Sequence, residues 1–439
     1  MNDNLSLQDN IHVSLFDMVN ALSTALDIIN PALDSHQKRT CFIAASIAKA
    51  AGIGGEAYDD LFSAAILHDI GAIALWERLK LLEFEDESPH LHARLGALLL
   101  ERFEPFKRFS HIVRCHHVQW NNGNNPTFDD QPVPLASHLV YLADRIEVLG
   151  QGSENIIAAI PSIRERVKAL AGDHFHPDFV DVFLQISVRE SFWLDLMSHK
   201  MDEILLEMAP FKTVSLGLDQ LALLARFYSL VIDSRSRFTA THSAGVATTG
   251  ELLALRMGMS ETDATKVKIA GYLHDLGKLG ISNSLIEKPG KLDLTEYSKM
   301  KTHSYMTFEI LSQIHGLADI ANWAASHHER LDGSGYPFHK HGEDMPLGTR
   351  VLCVADVYTA LSEDRPYRPG MSSDQIIAIL NEQVETGKLD DEVVATLIRC
   401  LTEIEQARIN AQSKEENDLA NFWEMAKLIP ESPYEQRTP

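Results

Sequence analysis

Histidine and aspartate residues recur along this chain in an order that could bind divalent metal ions. His274 and Asp275 stand side by side near the end of the apolar stretch AGYLHDLGKLGI, and Lys278 follows them. Polar groups in a buried segment cost free energy unless something binds them. A metal ion with a phosphate ligand would satisfy all three, although a single His-Asp pair is weak evidence.

The same pattern occurs twice. AAILHDIGAIAL resembles AGYLHDLGKLGI, VRCHHVQW resembles AASHHERL, and VYLADRIE resembles LCVADVYT. The amino-terminal set is His36, His68, Asp69, His92, His116, His117 and Asp144, and the carboxy-terminal set is His242, His274, Asp275, His303, His327, His328 and Asp356. Because ligand-type residues recur in one order with only small loop insertions, we predict a tandem duplication with its boundary near residues 208–217.

Helical periodicity surrounds these residues. In residues 294–314, Met300 and Ile310 share a helix face with His303, which should therefore point inward, and Thr295 is the expected cap. Strand-like alternation is scarce. The sequence predicts an all-α fold of two duplicated helical domains.

Composition narrows the classes of partner. The 439 residues suggest at least two domains, and a formal net charge of -23 argues against binding to DNA or to an anionic membrane. The four cysteines are scattered, which indicates neither a disulfide framework nor a thiolate zinc site. The amino terminus lacks the features of a secretory signal. The best candidate for a membrane-spanning stretch is interrupted by Arg226. We expect a cytoplasmic protein.

Seven candidate ligands in each half exceed the needs of one ion. A lone histidine on an apolar face is more often a hydrogen-bonded core residue, but this density of buried imidazole and carboxylate favours a cation such as iron, manganese or zinc. A pair of ions bridged by Asp275 would suit in-line displacement at phosphorus. Lys278 would then either stabilise a phosphoryl oxygen or be a solvated surface lysine.

From about residue 234 to residue 401 the chain resembles the HD-GYP family of bacterial cyclic dinucleotide phosphodiesterases. The motifs HDLGK, HHERLDGSGYP, PLGTRVLCVADVYTAL and DRPYRP stand in order. The resemblance implies an HD-type helical domain that hydrolyses cyclic di-GMP or cyclic GMP-AMP to a linear dinucleotide through a bridging hydroxide activated by two metal ions. Iron or manganese is expected, with zinc, nickel or magnesium as alternatives, and a 5'-nucleotidase step is a further expectation.

The resemblance also implies roles for individual residues. One metal ion would be held by His242, His274, Asp275 and Asp356, and the other by Asp275, His303, His327 and His328. Asp275 and Lys278 would be catalytic, and the substrate would meet Lys278, Asp332, Gly335, Tyr336, Pro337, Arg365 and Arg368. Phe238 stands where some members have a glutamate that recruits a third ion, so two ions are expected.

The amino-terminal half departs from this pattern. Lys278 becomes Ala72, DGSGYP becomes NNGNNP, and nothing resembling DRPYR follows Asp144. We therefore predict an HD-like domain in residues 1–210 that binds metal without gripping a dinucleotide, an HD-GYP catalytic domain in residues 218–410, and a tail in residues 411–439. Two alternatives remain open: a sensor or scaffold whose GYP loop binds a signalling partner, and a paired-iron oxygenase.

Overall fold

The structure, a computed structural model, is helical along the part of the chain that it describes. The described residues are 12–28, 35–72, 90–153, 155–211, 214–233, 241–288, 290–364 and 369–427. Strands within these ranges are two residues long and form two antiparallel pairs, Val13–Ser14 with Ser215–Leu216 and Thr127–Phe128 with Gln131–Pro132. The all-α prediction is confirmed.

The chain divides into two compact units. Among the described residues, one unit takes those of 22–214 and 422–427 and is called the amino-terminal unit below. The other takes those of 12–21 and 215–421 and is called the carboxy-terminal unit. Two of the three unit boundaries fall within the helices Leu15–Asp27 and Leu401–Lys427, and the third lies between Val214 and Ser215. The predicted limits 1–210, 218–410 and 411–439 stay a prediction.

The helices of each unit follow the order of the ligand residues. Those of the amino-terminal unit are His36–Ala50, Glu56–Ile66, His90–Leu100, Glu104–Arg114, Leu135–Gly150, Ile156–Ala169, Pro177–Ile186, Glu190–Leu196 and Met201–Met208. Those of the carboxy-terminal unit are Leu218–Asp233, His242–Arg256, Glu261–Leu273, Asn283–Ile286, Leu294–Ser312, Ala318–Ala325, Leu347–Ser362, Ser373–Glu385 and Asp391–Arg399. Short 3-10 turns lie at Asn121–Gly123, Leu276–Gly280 and Gly342–Asp344.

Helix packing repeats between the two units. His36–Ala50 begins at the first ligand-type histidine of its unit and packs against Glu56–Ile66 and Leu135–Gly150. In the carboxy-terminal unit, His242–Arg256 packs in the same way against Glu261–Leu273 and Leu347–Ser362. The order of packing partners therefore follows the sequence repeat.

A glycine after each HD pair permits a close backbone approach. A Cβ atom on Gly277 would lie 2.0 Å from the carbonyl oxygen of His303, and one on Gly71 would lie 2.1 Å from that of His92. Any side chain at either position would push away the helix that carries the next histidine. The two glycines thus set the distance between successive ligand helices.

The cap of the helix Leu294–Ser312 differs from the prediction. Asp293, rather than Thr295, is the N-cap residue, and its carboxylate accepts a hydrogen bond from the Glu296 backbone N–H at 2.9 Å. The Glu296 carboxylate accepts one in return from the Asp293 backbone N–H at 2.8 Å. This reciprocal capping box satisfies two helix-end donors, whereas Thr295 could satisfy one.

No helix in the described ranges is both long and apolar enough to cross a bilayer.

Candidate metal centres

The carboxy-terminal unit gathers all seven of its predicted ligand positions. Three groups place one ligand atom of each member within 4.8 Å of the others. The groups are His303 with His327 and His328, His242 with His274 and Asp356, and His274 with Asp275 and His327. Imidazole nitrogens and carboxylate oxygens together suit iron, manganese and zinc, so the donor set fits the predicted ions.

Backbone carbonyls fix the orientation of three of these histidines. The Nδ1–H groups of His274, His303 and His327 donate to the carbonyl oxygens of Gly271, Met300 and Ala324 at 2.8, 2.5 and 2.6 Å. A carbonyl can only accept, so Nδ1 carries the proton and Nε2 keeps its lone pair. Each Nε2 atom is thereby directed toward the cluster as a ligand.

Asp275 lies between His274 and His303. Its Oδ2 atom is 3.2 Å from His274 Nε2, and its Oδ1 atom is 3.5 Å from His303 Nε2. Oδ1 is buried and accepts no hydrogen bond within the described residues. Burial raises the pKa of this carboxyl, but His274 and Lys278 outweigh burial and hold the pKa well below its ordinary value. An ionised carboxylate with an unfilled oxygen suits a bridge between two cations.

Lys278 lies beside this carboxylate. Its ammonium nitrogen is 2.6 Å from Asp275 Oδ2, and its side chain is 20% exposed. The lysine therefore faces the cluster rather than extending into solvent.

His242 and Asp356 complete the carboxy-terminal cluster. His242 Nε2 lies 3.2 Å from Asp356 Oδ1, and its Nδ1 lies 2.9 Å from Glu363 Oε2. Asp356 Oδ2 lies 3.7 Å from His328 Nδ1. Sequence reasoning missed Glu363, which orients the first histidine of the set from outside the cluster.

Three imidazoles of the carboxy-terminal cluster are neutral at physiological pH. Burial lowers the pKa of His303 to about 3 and that of His328 to about 4, and it takes the pKa of His327 well below its ordinary value. Neutral imidazole is the form that binds metal ions. These three histidines therefore present lone pairs without first having to lose protons.

The GYP loop stands next to His328. The Tyr336 ring centroid is 4.9 Å from that of His328, and a Cβ atom on Gly335 would lie 2.4 Å from the Glu329 Cα atom. Glu329, which sequence reasoning also missed, is buried and accepts hydrogen bonds from the backbone N–H groups of Phe338 and Lys340 at 2.6 and 3.0 Å. These hydrogen bonds connect the GYP loop to the segment that directly follows His327 and His328.

Asp332 and Pro337, two of the predicted substrate-binding residues, lie in the GYP loop. Asp332 is exposed and accepts a hydrogen bond from the Ser334 backbone N–H at 2.9 Å, so it shapes the turn. Pro337 is half-buried and follows a cis peptide bond. Arg365, Arg368 and Phe238 lie outside the described residues.

The amino-terminal unit gathers six of its seven predicted positions. One group is Asp69 with His92, His116 and His117, and another is His36 with His68 and Asp69. His68 and His116 donate Nδ1–H to the carbonyls of Ala65 and Val113 at 2.8 and 2.6 Å, as in the other unit.

Asp144, the seventh position, has a different partner. One of its oxygens, Oδ2, accepts from the Arg145 guanidinium at 2.7 and 3.1 Å, and Arg145 is only 2% exposed. Its other oxygen, Oδ1, is 3.5 Å from His36 Nε2. The counterpart of Arg145 in the repeat is the apolar residue Val357.

In each unit a glutamate outside the cluster contacts the Nδ1 atom of the first predicted ligand histidine. His36 Nδ1 lies 2.5 Å from Glu147 Oε2, as His242 does beside Glu363. Burial lowers the pKa of His36, but Glu147 and Asp69 outweigh it and raise the pKa well above its ordinary value. The repeat counterpart of Glu147 is Thr359, one helical turn before Glu363.

Comparison with known proteins gives matches to both halves. Residues 226–393 and residues 33–149 each match a family model described as an HD domain. The 3'3'-cGAMP-specific phosphodiesterase 1 of Vibrio cholerae is 30% identical over 406 residues, which is 90% of this chain and 93% of the relative. The cyclic di-GMP phosphodiesterase response regulator RpfG of Xanthomonas campestris is 40% identical over 35% of this chain and 41% of its own length.

A solved structure has a similar fold. The crystal structure of the cyclic GMP-AMP specific phosphodiesterase V-cGAP3 of V. cholerae aligns with a TM-score of 0.63 and 24% identity. The alignment covers 89% of this chain and 98% of that one. The two chains therefore have a similar fold over most of their length.

Proposed function

We infer the reaction of this chain from its family, because the chain belongs to the cyclic dinucleotide phosphodiesterases of the HD-GYP type. The carboxy-terminal unit hydrolyses a phosphodiester bond of a cyclic dinucleotide and releases a linear dinucleotide with a terminal phosphate. Water supplies the attacking oxygen, and the ribose oxygen of the broken P–O bond takes up a proton.

One observation carries this proposal. Asp275 and six other predicted ligand residues converge in one cluster, and the Lys278 ammonium lies 2.6 Å from the Asp275 carboxylate. A purely structural metal site needs no lysine beside its bridging carboxylate, whereas a phosphoryl-transfer site needs a donor for the charge that develops on the phosphoryl oxygens. The amino-terminal unit, with Ala72 in place of Lys278, lacks this feature.

The residues divide the work between positioning and electrostatics. His242, His274, Asp275 and Asp356 would hold one divalent ion, and Asp275, His303, His327 and His328 would hold the other. Such ions, when bound, lower the pKa of water and polarise phosphoryl oxygens. Lys278 neutralises charge on the phosphoryl group, Glu363 and the helix carbonyls hold the imidazoles in one orientation, and Tyr336 forms one wall beside His328.

Product analysis tests the reaction. Full-length protein loaded separately with iron, manganese, zinc, nickel or magnesium is incubated with cyclic di-GMP and with 3'3'-cyclic GMP-AMP, and the products are separated by chromatography. We expect a linear dinucleotide from at least one substrate, and none from the Asp275→Ala variant. Oxygen consumption without phosphodiester cleavage would instead favour the oxygenase alternative.

For the amino-terminal unit we propose metal binding without cyclic dinucleotide hydrolysis. Asp69, His92, His116 and His117 supply four converging ligand atoms, and buried Asp69 Oδ1 accepts no hydrogen bond within the described residues. Joint replacement of His68 and Asp69 by Ala should lower bound metal and leave the first cleavage intact. Accumulation of the phosphorylated linear product in that variant would assign a 5'-nucleotidase step to this unit.

A further inference from the structure

A row of aromatic rings leads outward from the carboxy-terminal metal cluster. The His328 ring lies 4.9 Å from the Tyr336 ring, and the Tyr336 ring lies 6.2 Å from the Tyr297 ring at an interplanar angle of 87°. Tyr336 is half-buried, whereas Tyr297 is 44% exposed. The row therefore begins at a metal ligand and ends on a ring that solvent can reach.

Tyr297 is held on a rigid element. It lies in the first two turns of the helix Leu294–Ser312, which the Asp293–Glu296 capping box fixes at its start and which carries the ligand His303 six residues later. Contact with Tyr336 fixes the ring from the side of the GYP loop. A ring supported in this way loses little conformational entropy when a ligand packs on it.

A cation accompanies the exposed ring. The Lys301 ammonium lies 5.3 Å from the Tyr297 ring centroid, one helical turn further along. In a chain with a formal net charge of -23, an aromatic surface with its own lysine favours a flat ligand that carries negative charge. A nucleobase attached to a phosphodiester has both properties.

We propose that Tyr297 is a stacking platform for one purine base of the cyclic dinucleotide, with Lys301 beside the phosphate that is not being cleaved. The inference rests on the proposed function and adds a binding residue outside the HD and GYP motifs. Stacking of a base on an aromatic side chain is worth roughly tenfold to hundredfold in affinity, because every base presents a π-face to the ring. Tyr297 thus contributes to substrate binding and leaves the metal chemistry unchanged.

Tyr305 provides a matched control. It lies on the same helix and is 47% exposed, but its ring contacts Phe308 and Phe338 instead of Tyr336. Replacing either tyrosine by alanine removes an exposed ring from the same helix. Only the Tyr297 replacement removes the end of the row that starts at His328.

The test compares steady-state kinetics of metal-loaded full-length protein with cyclic di-GMP and with 3'3'-cyclic GMP-AMP. We expect Tyr297→Ala to raise KM about tenfold or more with kcat and bound metal within twofold of wild type, and Tyr297→Phe to restore KM. Tyr305→Ala should leave KM unchanged. An unaltered KM in Tyr297→Ala, or equal effects in both alanine variants, overturns the stacking role alone, whereas a wild-type protein that cleaves neither substrate overturns the proposed function and this inference with it.

Discussion

Substituting Gly277 by alanine tests whether the close approach of Gly277 to the helix that carries His303 sets the distances between the metal ligands. The added Cβ atom would lie 2.0 Å from the His303 carbonyl oxygen and 2.9 Å from the Met306 Cβ atom, whereas ordinary contacts begin at 3.4 Å. The helix that carries His303 must therefore move by about 1.4 Å, or the HD turn must move by the same distance in the opposite direction.

This displacement is large on the scale of metal coordination. Ligand distances in a metal site tolerate changes of about 0.2 Å, and a misplacement of about 1 Å in an active site can cost on the order of a hundredfold in rate. Overpacking of this kind also destabilises a fold by about 1–3 kcal/mol. We expect Gly277→Ala to remain folded, to lose bound metal from the His303 side, and to hydrolyse cyclic dinucleotide at least about a hundredfold more slowly.

The assay combines metal analysis by mass spectrometry with a hydrolysis rate and a circular dichroism melt, all on full-length protein. Gly217→Ala is the control, because a Cβ atom there has no neighbour within 4 Å. Gly71→Ala should lower the amount of metal bound by the amino-terminal unit and leave the hydrolysis rate within about twofold of wild type. Full metal content and full activity in Gly277→Ala would refute the argument that this contact sets the ligand spacing.

Further predictions concern the charged groups of the carboxy-terminal cluster. Asp275→Ala should abolish hydrolysis and reduce bound metal; full activity would contradict its bridging role. Lys278→Ala should slow turnover on the order of a hundredfold with bound metal unchanged, because its role is electrostatic; a loss of metal would make it a structural residue instead. Because the pKa of His303 is about 3 and that of His328 about 4, both imidazoles stay neutral down to about pH 5, and protonation competes with metal only below that. The ion bound by His303, His327 and His328 should therefore be retained equally after dialysis from pH 8 to 6 and be lost toward pH 4, when metal is measured in the variant with His68 and Asp69 replaced by Ala; a loss of that ion centred near the ordinary histidine pKa would contradict these shifts.

The repeat in the sequence made the clusters predictable. A metal ligand must be one of a few residue types and must face inward, so the positions of His274 and His303 follow from residue type and helical period. The structure brings together thirteen of the fourteen predicted ligand residues in groups of converging atoms. The spacing from the first histidine to the HD pair is also the same in both halves, from His36 to His68 and from His242 to His274.

The supporting residues were not predictable in the same way. Glu147 and Glu363 have the same role but differ by one helical turn in repeat position, because a long side chain can reach a histidine Nδ1 from either turn. Glu329 and Arg145 look like surface charges in the sequence, since only the packed helices reveal that they are buried.

Contacts between the amino-terminal segment and residues in the middle of the chain were also not predicted. The strand Val13–Ser14 pairs with Ser215–Leu216, and the Tyr228 hydroxyl donates to the Met18 carbonyl at 2.6 Å. Both contacts join residues about 200 positions apart, and two-residue strands carry no periodic signal. Residues 12–21 therefore belong to the carboxy-terminal unit, which a division of the sequence by repeats alone does not indicate.

The Arg145–Asp144 pair gives the amino-terminal unit an internal counter-ion. A chelator removes a metal ion, but no solvent condition short of unfolding removes a guanidinium that is covalently part of the chain. Part of the negative charge in this unit therefore stays compensated when metal is scarce, whereas valine, Val357, stands next to Asp356 at the corresponding position. A duplicated copy built in this way can lose its reaction and still keep its shape, so sequence drift in its substrate loops carries little penalty for folding.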